Sequence, residues 1–338
     1  MPSQPLAPAI KKWRVAQIAF GGVGIAIASL LLLAPSIGLH AFWNCLIPVA
    51  PALFVFLPGL WRNICPLASV ALLPIHTSIS KRRRLSTASV STIQRLSVIA
   101  LLLIIPLRHP LFNLSAPATL GVIISCLVIA FVFGLNSEWK SGWCSAACPI
   151  NHVEKLYGCQ AATTFNNAHC YTCARCIEPC PDSTANNHNL YPGLPIQRTQ
   201  NGLFMSGFFP GYIWGWFQVA DSANGENLLP SYLWCIVGGL ASLAAFMIAR
   251  KKFPRLSEFS LSKLSAVAAV STYYWYRLPA LIGYTKFRND GVLIDLSDSL
   301  PEFTPYFLKS ATTLLFVWWF LLRPTKYRSW LQRPIVQK

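Results

Sequence analysis

The chain has 338 residues, 54% of them hydrophobic and only 12% charged, against about 25% charged in a soluble domain. That balance excludes an ordinary soluble enzyme and points to a membrane protein. The formal net charge of +17 does not indicate nucleic acid, because the basic residues lie in short runs flanking apolar segments, where they set membrane orientation.

A spanning helix needs about 20 mostly apolar residues. Eight segments qualify, near 15–34, 41–58, 92–110, 117–136, 202–220, 229–249, 261–284 and 304–322. The first follows Lys11, Lys12 and Arg14 and lacks a convincing cleavage site, so it reads as a retained anchor. After the second come Trp61 to Cys65-Pro66 and a short apolar stretch, Leu67 to Ile75, which reads as an interfacial helix. It ends at His76, at the headgroup boundary where a quinone head could approach. Lys81, Arg82, Arg83 and Arg84 precede the third segment. The fifth is uncharged, but Pro210 and several glycines give it the look of a kinked or re-entrant piece. Arg250, Lys251, Lys252 and Arg255 follow the sixth. The seventh contains Arg277 after Tyr273, Tyr274, Trp275 and Tyr276. An intramembrane arginine is a functional candidate by default, and snorkelling toward an outer aromatic belt explains it as well. In the eighth, Lys309 reads as an outer-interface anchor, and Arg323, Lys326, Arg328 and Arg333 follow it.

All four basic clusters share one side only if both termini are cytoplasmic and 202–220 crosses. The opposite loops then carry Asp221, Glu226, Asp290, Asp295, Asp298 and Glu302, six of the eleven acidic residues. The expected fold is an all-α polytopic membrane protein of about eight transmembrane helices. It divides into a membrane domain over 1–136, a small cytoplasmic ferredoxin-like iron–sulfur insert over 137–200, and a second membrane domain over 201–338. The expected location is a bacterial-type inner (plasma) membrane.

The chemistry lies in that insert. Cys170, Cys173, Cys176 and Cys180, followed by Pro181, have the spacing C-x2-C-x2-C-x3-C-P. Three thiolates at three-residue steps fit a tight loop around one [4Fe-4S] cube. In two-cluster ferredoxins the fourth cysteine serves the other cluster. Zinc sites more often pair C-x2-C units across a longer gap. Upstream stand Cys144, Cys148-Pro149 and Cys159, so seven of the eleven cysteines lie between 144 and 180, a clustering that implies a reducing compartment. On ferredoxin logic Cys148 completes the site of Cys170, Cys173 and Cys176. Cys180 then joins Cys144, Cys159 and Cys65 at a second; Cys148 serving the second site is an alternative. Cys159 and Cys65 also read as ordinary buried thiols, and Cys45, Cys126 and Cys235 as packing residues within spans. His152 and His169 flank the cysteines and read as cluster hydrogen-bond donors or as solvated loop residues. Lys155 and Arg175 would offset cluster charge, with Glu154 and Glu178 opposing them. No C-x-x-C-H haem motif, phosphate loop or nucleophile triad is present.

Gly142-Trp143-Cys144 through Pro149 after a span, Trp61 through Pro66 after an earlier one, and Cys170 to Pro181 together resemble the integral-membrane polyferredoxins of the NapH, NosR and CcoG kind. The resemblance spans roughly residues 40 to 182. It implies electron transfer at the cytoplasmic face through one or two [4Fe-4S] clusters, with quinol or a redox partner protein, in a respiratory or maturation system. Two departures stand out: one complete four-cysteine run is present, and Trp61 occupies the place where a first C-x3-C-P would start. The rival reading is a membrane scaffold or assembly subunit of a redox complex, its cluster purely structural.

Overall fold

A computed structural model describes residues 8–137, 140–169, 196–222, 226–287, 290–324 and 330–332. Cys170, Cys173, Cys176 and Cys180, and with them the centre of the expected ferredoxin-like insert, lie outside these residues. The described protein is all-α apart from one parallel pairing, Phe165–Asn166 (β1) with Leu331–Gln332 (β2), and an isolated bridge between Arg83 and Ser137.

Prolines and serines set where helices begin. Pro35, Pro58 and Pro66 open α2 (Pro35–His40), α4 (Pro58–Ile64) and α5 (Pro66–His76), where a missing N–H costs nothing. Ser86, Ser115 and Ser257 accept the N–H of Ser89, Ala118 and Ser260 and so cap α6 (Thr87–Ile104), α7 (Ala116–Asn136) and α11 (Glu258–Leu281). The remaining helices are α1 (Pro8–Leu33), α3 (Ile47–Phe56), α8 (Asn151–Tyr157), α9 (Ile196–Trp216), α10 (Leu228–Lys252) and α12 (Thr304–Val317).

Six stretches are long and apolar enough to cross a membrane: Ile10–Leu33, Pro35–Phe56, Ala88–Arg108, Ala116–Asn136, Leu228–Lys252 and Thr304–Leu322. They turn Ile18, Leu33, Val128, Leu233 and Leu314 outward, all more than half exposed. A soluble protein rarely shows so much contiguous apolar surface. The chain is a multi-pass membrane protein.

The other two expected spans are helices of 21 (α9) and 24 (α11) residues, but they fall outside that apolar set. Their position explains why. The main core joins Met205, Phe209 and Ile213 of α9 and Ala266, Ala269, Val270 and Tyr273 of α11 to Phe54 and Val55 of α3, Leu156 of α8 and Phe316 of α12. A helix surrounded by protein has less need of a lipid-soluble skin, so glycine, serine, tyrosine and arginine are tolerated there. The glycines read as a kink in α9 serve close packing instead. Gly207, Gly211 and Gly215 recur every fourth residue, and a β-carbon at Gly211 would overlap the Gly238 carbonyl of α10, and one at Gly238 the Gly211 carbonyl. Small residues let membrane helices approach this closely.

The second apolar stretch is broken by Pro48 and Pro51, and other helices repair it. The Ile47 N–H reaches back five residues to Phe42 within a π-helical segment, Ala41–Leu46. Pro48 has no N–H to offer Trp43. Arg277 of α11 fills that gap, donating to the Trp43 carbonyl at 2.8 Å and to Asn44 Oδ1 at 2.6 Å. One turn on, the Tyr274 hydroxyl joins the same stretch. It donates to Pro48 O at 2.8 Å and accepts the Ala52 N–H at 2.9 Å.

These contacts define two ends of the bundle. Gln17 of α1 donates to Asn63 O at 2.7 Å, and Trp13 lies edge-on to Phe165. That end gathers α4, α5, α8 and β1. The opposite end gathers Trp43, Asn44, Phe112, His109, Asp221 and Arg277. Both α9 and α11 run from one end to the other: the first ends at Trp216, whose carbonyl meets His109, and the second at the Arg277 contacts.

Candidate functional site

Cys65 sits at the junction of α4 and α5 as the residue before Pro66, at the start of a helix. The preceding turn is fixed by a buried ion pair. Arg62 Nε and Nη2 meet Glu154 Oε1 and Oε2 of α8 at 2.7 and 2.8 Å, and Nη2 also donates to Asn151 Oδ1 at 3.1 Å. The guanidinium lies 4.9 Å from the ring centre of Trp330. This fork ties α4 to α8 and so carries Cys65 toward Cys148, which lies just ahead of α8.

Cys144 belongs to a second π-helical segment, Lys140–Ala147, and the Cys148 N–H extends that pattern to the Trp143 carbonyl at 2.9 Å. Trp143 is buried against Ala71 and Ala130 and anchors the segment to α5 and α7. Cys144 packs with Cys65 on Ala68, Leu72 and Ile75, and with Cys148 beside Ala71 and Trp143. Thus Cys65, Cys144 and Cys148, from two stretches about 80 residues apart in sequence, border two neighbouring apolar clusters at one end of the bundle. Burial pushes the Cys65 thiol up to about 11, the nearby Glu154 charge adding to it and the Ala68 N–H opposing. Burial, then Cys65 and Glu154, push Cys148 up to about 12 against the Ile150 N–H and Arg62. A thiolate here needs a cation to balance it, which a bound metal centre provides. The donors fit an iron–sulfur cluster in kind, being half-buried thiols, two of them just ahead of a helix. They fall short in number, since among the described residues no three His, Cys, Asp or Glu side chains converge closely enough to hold a metal ion.

The chain leading into the four-cysteine run is docked at the same place. Asn63 Nδ2 donates to Asn166 O at 2.9 Å, its Oδ1 accepts the Ala168 N–H at 3.0 Å, and His169 Nε2 donates to Arg62 O at 3.1 Å. His169 is 1% exposed. It and His152 are buried, in contrast to the solvated loop residues of one expectation, because the Arg62–Asn63 turn closes over the segment. Cys159 lies elsewhere, in the main core beside Leu156 and Tyr157; burial pushes its thiol up to about 12, with Lys263 opposing. Trp61, at the place of an expected cysteine, packs edge-on against Phe54 and Phe20.

Sequence reading missed a second constellation at the opposite end. A cavity of about 850 Å³ is lined there by His109, Asp221, Asp290, Arg277, Lys286 and Lys309 among others, with aromatic walls including Trp216, Trp275 and Tyr276. His109 stacks on Trp216 at 4.5 Å, and its Nδ1 lies 2.7 Å from Asp221 across 112 residues of chain. The available signal was only that span ends carry these residues on the acidic side. Comparison with known proteins gives no match, whether among family models, curated proteins or solved structures.

Proposed function

We propose that this membrane protein carries electrons through a [4Fe-4S] cluster held at the thiol end of the bundle, with a second cluster as an extension of the same site. What supports this is the docking of residues 166–169, the residues just ahead of the four-cysteine run, onto Arg62–Asn63, the turn that precedes Cys65. Cys170, Cys173, Cys176 and Cys180 would supply the core ligands, with Cys65, Cys144 and Cys148 as the thiols that complete them. Cys159 is better placed for packing. When bound, such a cluster supplies reversible one-electron transfer. The chain's own residues fix thiol positions through the Arg62–Glu154–Asn151 network, exclude water with Trp143 and Leu72, and donate from His169 to the turn before Cys65.

Eight crossings, with α9 and α11 as protein-enclosed spans, put all four basic clusters on the thiol side, which the positive-inside rule makes cytoplasmic. A cytoplasmic donor or membrane quinol and a partner redox protein would exchange electrons there. Anaerobic purification with iron and acid-labile sulfide analysis, and EPR of the reduced protein, tests the reading. Equimolar iron and sulfide with a cluster signal supports it, and zinc or an absence of sulfide overturns it. Cys170→Ser distinguishes a carrier, which loses electron transfer with its partner complex intact, from a scaffold, which loses assembly.

A further inference from the structure

The cavity at the opposite end holds more positive charge than its own carboxylates balance. His109 Nε2 lies 2.8 Å from the Trp216 carbonyl, which can only accept, so this nitrogen carries a proton. Nδ1 lies against Asp221, whose oxygens also accept from Asn113 at 3.0 Å. Even with Asp221 counted as a full negative charge, the described lining stays net positive. The remaining described ionised lining is Arg277, Lys286 and Lys309 against Asp290, and Asp290 is occupied in accepting the Asp221 N–H at 2.9 Å.

Arg277 is the centre of the imbalance. It is 5% exposed, and among the described residues no carboxylate lies within ion-pair distance of it. Nη2 is consumed by Trp43 and Asn44. Nη1 stands against Gly291, where a β-carbon would overlap it and where φ is +77°, so the glycine is required twice over. A second guanidinium is close by: Arg108 lies between the Trp43 and Trp216 rings at 4.1 and 4.7 Å. A buried charge without an ionic partner is costly, and nothing in the fold's backbone repair calls for a full cation, since a neutral donor would satisfy Trp43. At the rim, Lys309 sits over Trp275 and Tyr306, 5.5 and 5.8 Å from their ring centres.

We propose that this cavity binds an organic anion, a single acidic oxygen group on an apolar or aromatic body. The acidic group is received by Arg277 with Lys309 at the mouth, and the body lies against Trp216, Trp275 and Tyr276. The volume is within the range that holds a ligand of drug-like size. A soluble carboxylate and an anionic lipid headgroup share this chemistry. The site is separate from the thiol end and does not depend on a cluster there.

The test is thermal unfolding of the full chain in a neutral detergent with 1-naphthoate, against its uncharged isostere 1-naphthamide. Naphthoate should raise the melting temperature in a saturable way and naphthamide should not. Arg277→Gln, which keeps an amide donor for Trp43, should abolish the shift. Lys309→Gln, at the half-buried rim, should weaken apparent affinity about threefold, and Lys309→Glu should weaken it further; both remain informative if Arg277→Gln does not fold. A parallel arm compares phosphatidylglycerol with phosphatidylcholine in mixed micelles. Protection by the anionic lipid that Lys309→Glu reduces assigns the anion to a headgroup, and protection by naphthoate alone assigns it to a soluble acid. Equal protection by naphthamide, an unchanged response in Lys309→Glu, or protection by neither anion overturns the proposal.

Discussion

Tyr274 serves two backbone groups of α3 with one hydroxyl, donating to Pro48 O and accepting the Ala52 N–H. Its ring is stacked on Phe316 at 5.5 Å, so Tyr274→Phe keeps the packing and removes only the bridge. That change should cost about 1–3 kcal/mol for the orphaned backbone groups, read by denaturant unfolding in detergent micelles. A larger loss is expected at the thiol end. Arg62 and Glu154 are each 6% exposed at the side chain, and removing one partner of a buried pair typically costs about 3–5 kcal/mol. Arg62→Met alone should therefore destabilise strongly, and adding Glu154→Met should restore much of the loss. A double variant no more stable than the single one would mean that the pair's geometry, and not its charge balance, is what matters. Neither the Tyr274 bridge nor the Arg62–Glu154 pair was legible beforehand, because each joins residues about 90 to more than 200 positions apart.

At the scale of elements, packing between α9 and α10 rests on close backbone approach. Gly211→Val would drive a side chain into the Gly238 carbonyl, and overpacking of this kind costs about 1–3 kcal/mol when the helices can shift. Gly121 in α7 has open space around its α-carbon, so Gly121→Ala should be neutral or stabilise by up to about 1 kcal/mol. Comparing the two variants by thermal melting separates interface packing from helix propensity. The glycines at 207, 211 and 215 were visible in the sequence, and their four-residue period was the signal. Pro210 among them drew the reading toward a kink, although a membrane helix tolerates proline where neighbours satisfy the freed carbonyl. Helix starts were more legible, since serine caps and N-terminal prolines act locally.

Across the described molecule, Cys65, Cys144 and Cys148 lie at one end, and Asp221 and Asp290 with the cavity at the other. Asp298 and Lys251 are exposed at the two ends. Asp298→Cys should react with a membrane-impermeant maleimide in intact cells, and Lys251→Cys only after permeabilisation, each measured as gain over the parental chain. The reverse pattern would place the thiols outside and remove the reducing environment that the electron-carrier proposal needs.

What the sequence determined alone were the properties carried by composition and local spacing. These are a multi-pass membrane protein, the flanking charges, the short helix after Cys65-Pro66, and a four-cysteine run whose spacing is the ground of the electron-carrier proposal. Only the tertiary structure decided that Cys159 goes to the core while Cys65, Cys144 and Cys148 line the clusters at one end of the bundle, and that His109, Asp221 and Arg277 frame a cavity. The reason is physical. Hydrophobic length and capping act over a few residues, whereas a site assembled from span ends depends on how α9 and α11 are enclosed, and that order is written in contacts between residues far apart in the chain.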